Sequence, residues 1–180
     1  MKRKFNATIG WAGFSLVELM VSIAVFSILI SIGLPSYSYM VQDRYADNAA
    51  HTMHGLLSYT RQQAVALKKQ VVLCGLSADQ SGCVAYKWSG QSDWSDGAMI
   101  FVDQNENERY EPAIDVLVKL YSFSGQPLQI MSSTGSFIAY KRTGQVQGFS
   151  NGTLTFSSGD YSKQLKVTNL GRVRYLSEPE

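Results

Sequence analysis

Gly13-Phe14-Ser15-Leu16-Val17-Glu18, followed by the uncharged run from Leu19 to Leu34, is the stretch on which the fold turns. At roughly 1.5 Å of rise per residue, a helix from Leu16 to Leu34 nearly spans a hydrocarbon core of about 30 Å. Glu18 places a carboxylate at the edge of that segment. An ionised carboxylate in lipid costs up to about 3 kcal/mol at mid-bilayer on insertion scales and less near the interface, so such a residue normally meets a partner. Ahead of it, Lys2, Arg3 and Lys4 put residues 1–13 on the cytoplasmic side and everything after Pro35 on the other. A secretory signal peptide also has a basic start and an apolar core, and Ser31-Ile32-Gly33 weakly imitates its cleavage site. Neither that reading nor a plain signal anchor accounts for Glu18.

The basic start, Gly13-Phe14 and Glu18 together resemble the leader of a type IV prepilin. In that family a dedicated peptidase cuts after the glycine and N-methylates the new first residue, here Phe14. Glu18 then becomes the fifth mature residue and Pro35 the twenty-second, both matching the family pattern. The resemblance implies that Glu18 neutralises the N-terminal amine of an adjacent subunit during assembly.

With 180 residues, the chain has room for one membrane helix and one modest domain. The formal charge is +2 and the pI about 8.5; without the three early basic residues the remainder is close to neutral. Charge is unevenly placed. Asp79, Asp93, Asp96, Asp103, Glu106, Glu108, Glu111 and Asp115 face only Lys87 and Arg109 in their segment. From Val116 to Leu176, Lys119, Lys141, Arg142, Lys163, Lys166, Arg172 and Arg174 face only Asp160. Such a dipolar head suits docking on neighbouring subunits, or presenting its basic part to a polyanion.

After Pro35, Val41, Tyr45, Ala49, Met53, Leu56, Thr60, Ala64, Leu67 and Val71 recur at threes and fours, opposite Gln42, Arg44, Asp47, Arg61 and Lys68. This is one apolar stripe of a long helix packed on the head. Gly33 and Pro35 predict a weak point or kink, and Tyr37 and Tyr39 suit the headgroup level. Beyond residue 70 the period changes to two, with expected strands at 71–76, 83–87, 98–102, 116–123, 137–141, 153–156, 164–168 and 172–176. The fold class is α+β: a long N-terminal helix, membrane-spanning then amphipathic, packed on an antiparallel β-sheet head. The expected division is a leader over 1–13, a transmembrane assembly helix over 14–35, an amphipathic helix over 36–70 and a β-rich head over 71–180.

Cys74 and Cys83 are the only cysteines. In an oxidising compartment they are expected to form a disulfide, stabilising by roughly 2–3 kcal/mol for so small a loop. Val72-Leu73-Cys74, Cys83, Trp88, Trp94 to Gly97 and Ile100-Phe101-Val102-Asp103 resemble the minor pilins and pseudopilins of the FimT, FimU and GspH group. The likeness covers most of residues 13–176. Major pilins usually carry their cysteine loop near the C-terminus, which favours a minor subunit here.

Asp103, Asn105, Asn107 and Glu111 alternate as in a calcium loop, but Glu108 stands where the turn wants glycine and Ile114 where a bidentate acid belongs. A solvated Asx-rich turn is the expected reading. His51 and His54 share a helix face without a matching acid or thiol ligand, so packing or surface roles are expected and no metal is assigned. No nucleophile arrangement and no phosphate loop are present, so neither an enzyme nor a cofactor is expected.

The C-terminal hairpin carries the sharper signal. Pairing of 164–168 with 172–176 through Asn169-Leu170-Gly171 predicts buried Leu165, Val167, Val173 and Tyr175, with Lys166, Arg172 and Arg174 exposed together. Alternate residues on a strand lie about 7 Å apart, close to the phosphate spacing of nucleic acid. Gly171-Arg172-Val173-Arg174 resembles the glycine-arginine-any-arginine ending of transformation-associated FimT-type pilins, which implies DNA binding. The same cations also suit protection of an edge strand or pairing with the acidic region of a neighbour.

The resemblance thus implies a minor type IV pilin, a subunit incorporated in or priming a pilus, with DNA uptake as an added role. The alternative is a GspH-like minor pseudopilin of a type II secretion system. Expected partners are the prepilin peptidase, other major and minor pilins or pseudopilins, the inner membrane and DNA. The expected location is the bacterial inner membrane, single-pass with the head in the periplasm, and then the pilus or pseudopilus.

Overall fold

The computed structural model describes residues 15–85, 90–123, 125–148 and 152–176, with the backbone alone over 32–38. The leader, the Gly13-Phe14 junction and Trp88 lie outside the described residues, as do the side chains of Pro35 and Tyr37. The chain divides into two compact units, Met1–Tyr39 and Met40–Glu180.

In the first unit, α1 (Leu16–Leu67) begins. Ser15 caps it: its Oγ accepts the Glu18 N–H at 3.2 Å, and Glu18 lies in the first turn, where the helix dipole favours an acid. Ser-x-x-Glu is the spacing of a capping box. Ser22, Ser27 and Ser31 turn their hydroxyls back onto the carbonyls of Glu18, Ile23 and Ile28, so three polar groups are satisfied within the helix itself. Leu16, Val17, Met20, Phe26 and Leu29 are all largely exposed. Among the described residues no helix is long and apolar enough to cross a membrane; described side chains of the apolar run stop at Ser31, short of Leu34. The backbone is helical through Gly33 and Pro35.

In the second unit, Ala46, Ala49, Ala50, Met53, Leu56, Leu57, Thr60 and Ala64 of α1 are buried. The stripe is wider than the expected one, gaining Ala46, Ala50 and Leu57. It ends earlier, because Leu67 is exposed where Lys68 turns to φ 54° and stops the helix. Thr60 fits the stripe because its hydroxyl donates to the Leu56 carbonyl at 2.7 Å.

Nine strands follow among the described residues: β1 (Gln70–Gly75), β2 (Ser92–Asp93), β3 (Gly97–Asp103), β4 (Val116–Ser122), β5 (Gln129–Ser132), β6 (Phe137–Tyr140), β7 (Gly152–Ser158), β8 (Tyr161–Val167) and β9 (Val173–Leu176). They form two sheets rather than one, ordered β4-β3-β1-β6 and β2-β5-β7-β8-β9. Every pairing is antiparallel. One core cluster joins α1 to both sheets through Leu57, Leu73, Ile100, Ile138, Phe156 and Leu165. A second cluster, including Val72, Cys74, Met99 and Phe101, lies on the opposite face of β1 and β3. These strands are therefore buried on both faces and read as continuous apolar runs.

The expected strand at 83–87 is not formed. Cys83 makes only an isolated bridge with Leu76, Val84 and Ala85 are bends, and the remainder lies outside the described residues. The tight loop from Ser77 to Gly82 and the bond between Cys74 and Cys83, with Cα atoms 5.6 Å apart, hold this segment beside β1.

Candidate functional site, a basic groove along the C-terminal hairpin

β8 and β9 are joined by a turn in which Thr168 and Arg172 clasp each other. The Thr168 N–H donates to the Arg172 carbonyl at 3.0 Å, and the Arg172 N–H donates to Thr168 Oγ1 at 3.2 Å. Lys166 and Arg174 sit directly opposite in the register, as do Leu165 with Tyr175 and Val167 with Val173. Lys166, Arg172 and Arg174 are exposed, while Leu165 and Val167 are buried. Arg172 precedes β9 rather than lying in it.

Tyr175 departs from the expected burial: it is 44 % exposed. Among the described residues β9 is the outermost strand of its sheet, with no further strand paired to its outer flank. Tyr175 is held instead by two histidines of α1. Its ring lies 5.5 Å from that of His54 in a stacked arrangement and 5.2 Å from His51 in a tilted one. Burial pushes the Tyr175 hydroxyl above its ordinary range, with the Asp47 charge adding to the effect. His51 Nδ1 lies 3.5 Å from Asp47 Oδ1. The histidines thus latch the last strand to the helix.

Between α1 and β9 runs an open groove of about 790 Å³, whose walls include His54, Arg61, Val65, Arg172, Val173 and Arg174. Among the described residues no carboxylate lines it. Arg61, read from the sequence as part of the solvent face, is half-buried here. Two glycines leave it room: a Cβ on Gly144 would approach Arg61 Nε at 3.1 Å, and one on Gly171 at 3.3 Å. Both glycines have positive φ, 77° and 74°. The signal that points to Arg61 in the sequence is its spacing of seven from His54, two helical turns along one face. Lys166 does not line the groove.

The other expected sites are placed as follows. Cys74 and Cys83 are joined, with an S–S distance of 2.07 Å. Asp79, at the tip of their loop, is held down to about 2 by hydrogen bonds from the Ser77 and Ser81 hydroxyls and the Ser81 N–H. Asp103 is buried, and its two oxygens face donors: the Glu108 N–H at 2.7 Å, the Asn107 N–H at 3.3 Å and Gln70 Nε2 at 3.2 Å. Asn105 and Asn107 turn their amides to Glu111 at 2.7 and 3.0 Å. Asp115 accepts the N–H groups of Gln104 and Glu111. Gln104, Asn105, Glu106 and Arg109 are exposed, as expected of a solvated Asx-rich turn, while Asp103, Glu108 and Asp115 are buried beneath it. Among the described residues no group of three or more metal-ligating side chains is assembled.

A long helix packed on antiparallel sheet is the fold of a type IV pilin head. Two solved structures of the Pseudomonas aeruginosa type IV minor pilin FimU share that fold. One aligns with a TM-score of 0.55 at 16 % identity, covering 73 % of this chain and 88 % of that one. The other, from a second crystal form, gives 0.52 at 16 % identity, covering 73 % and 92 %. Residues 49–171 match the family model of the Type II transport protein GspH, and residues 12–34 match the prokaryotic N-terminal methylation motif. The chain belongs to the GspH family of minor pilins and pseudopilins. No curated protein matches it in sequence.

Proposed function

We propose that this chain is a minor type IV pilin, cleaved after Gly13, methylated on Phe14, anchored in the inner membrane through residues 14–35 and then incorporated into a pilus. Residues 36–70 and 71–180 would form its periplasmic head, and its role would be structural rather than catalytic. The observation that carries this reading is the methylation motif over 12–34 leading directly into α1. The prepilin peptidase and other pilins are the partners it calls for.

Glu18 is the residue to test. It lies in the first turn of α1, its N–H capped by Ser15 Oγ, and supplies, in an apolar environment, a charge in need of a cation such as a neighbour's N-terminal amine. Glu18→Gln keeps the Ser-x-x-Glu/Gln spacing of a capping box but removes the charge. Both Glu18→Ala and Glu18→Gln are expected to insert and be processed normally yet be absent from sheared pili. Normal incorporation of the glutamine variant would refute the charge-pairing role. The pseudopilin alternative is favoured by the type II transport name of the family model; recovery of the chain in a secretion pseudopilus instead of pili would establish it.

A second reading is supported by the hairpin. Lys166 and Arg174 are exposed cross-strand neighbours with Arg172 close by in the chain, a cluster suited to weak, sequence-independent and salt-dependent DNA contact.

A further inference from the structure

We propose that the groove between α1 and β9 holds a nucleic-acid phosphate backbone, with Arg61 as a phosphate-contacting residue alongside Arg172 and Arg174, and with Lys166 outside the contact. This inference rests on the DNA-binding reading and moves its centre from the outer sheet face to the groove.

Three features of the groove carry it. The first is charge: Arg61, Arg172 and Arg174 converge from two elements distant in sequence. Among the described residues none of the three forms an ion pair. Like charges gathered without counter-ions repel one another, and an anion in the groove relieves that cost. Arginine suits the purpose, because its planar fork matches phosphate oxygens.

The second feature is the placement of Arg61. Gly144 and Gly171 leave room for its side chain, since a Cβ on either would lie 3.1 or 3.3 Å from Arg61 Nε, and its charge is close enough to Tyr140 to oppose the upward shift that burial imposes on that hydroxyl. A half-buried guanidinium has less freedom to lose when it binds, which favours affinity.

The third feature is continuity. Gly144, where a Cβ would meet Arg61, belongs to the turn that begins at Lys141, where the Gly144 N–H donates to the Lys141 carbonyl. Lys141 and Arg142 of that turn, with Lys68 and Lys69 at the end of α1, line a neighbouring cleft of about 320 Å³ in which Glu106 is the one acid among the described residues. Cations therefore predominate past the groove from the hairpin to the end of the helix. A track of this kind suits a polymer with regularly repeated charge better than a compact acidic ligand.

The test uses the full chain in neutral detergent and a short labelled DNA duplex, with affinity measured across a salt series. Loss of one phosphate contact lowers the slope of log K against log salt by about 0.9, which is about eightfold in affinity at 0.1 M salt relative to 1 M. Arg61→Gln is expected to show that loss, Arg61→Lys to restore the slope, and Lys166→Gln to bind as the unmodified chain does. Trp94 fluorescence checks that each variant is folded. If Arg61→Gln binds normally, or Lys166→Gln loses as much, the groove assignment is overturned while DNA binding stands. If the unmodified chain fails to bind DNA even at low salt, or binds poly-glutamate alone, both readings fall.

Discussion

Asp103→Ala tests whether the acidic loop is built around a carboxylate serving as a structural acceptor. In the native chain the Glu108 N–H and Gln70 Nε2 donate to it from buried residues, and the Asn107 N–H joins them. Leaving a buried donor unpaired costs about 1–3 kcal/mol, so the two buried donors together put the loss near 3 kcal/mol. With a urea slope of about 2 kcal/mol per molar, the midpoint should fall by roughly 1.5 M, followed through the emission of buried Trp94. Burial raises the Asp103 carboxyl above its ordinary value, with the Asp115 charge adding and the Glu108 and Asn107 N–H groups opposing. A raised carboxyl is more easily ionised in the unfolded chain, so its contribution is greatest below the unfolded value near 4 and declines as pH rises through the folded one. The gap between native and variant should therefore be widest at acid pH and narrow toward neutrality. An unchanged midpoint, or a gap that widens with pH, would refute the reasoning. Stabilisation of the native chain by calcium would instead revive Asp103, Asn105, Asn107 and Glu111 as ligands.

Two further perturbations address other parts of the head. Asp79, held down to about 2 by its serine partners, contributes stability above the unfolded value near 4 that is lost as pH falls through about 2; Asp79→Asn should flatten the fall in urea midpoint between those values, and an unaltered acid limb would contradict it. Gly171→Ala would drive a Cβ into the Gly144 carbonyl oxygen at φ 74°. It should cost more than about 2 kcal/mol in urea unfolding, and a near-native midpoint would show that the turn relaxes freely.

The helix and most strands were legible because their signals are local. Apolar residues three and four apart announced α1, and the runs around Val71, Ile100, Leu120 and Leu165 announced β1, β3, β4 and β8. β2 and β5 escaped: Ser92–Asp93 is two residues long, and Gln129–Ser132 carries too little β-branched or aromatic character to stand out. Conversely, Cys83 to Lys87 reads as a strand by composition, yet the cysteine bond and the loop from Ser77 hold its first residue to a single bridge. Two-sided burial of β1 and β3 also defeats alternation, since Val72 and Leu73 face different clusters and both are fully buried.

The groove is the clearest case of what local pattern leaves hidden. Strand alternation groups Lys166 with Arg172 and Arg174 correctly as exposed neighbours, and the register places Lys166 opposite Arg174. It says nothing about the other flank of β9, because which element lies beside an edge strand is decided by tertiary packing. There the His54 and His51 rings meet Tyr175, and that contact aligns the helix so that Arg61, two turns beyond His54, reaches the arginine-bearing strand. The stability of the hairpin and the charge of the groove are consequently linked through one helix face. Loss of the aromatic latch should loosen β9 and scatter the cations together, whereas loss of Arg61 should remove one charge and leave the latch intact. The two effects separate in a salt series: a scattered groove changes affinity and folding at once, while a single lost contact changes the slope by about one unit with the fold preserved.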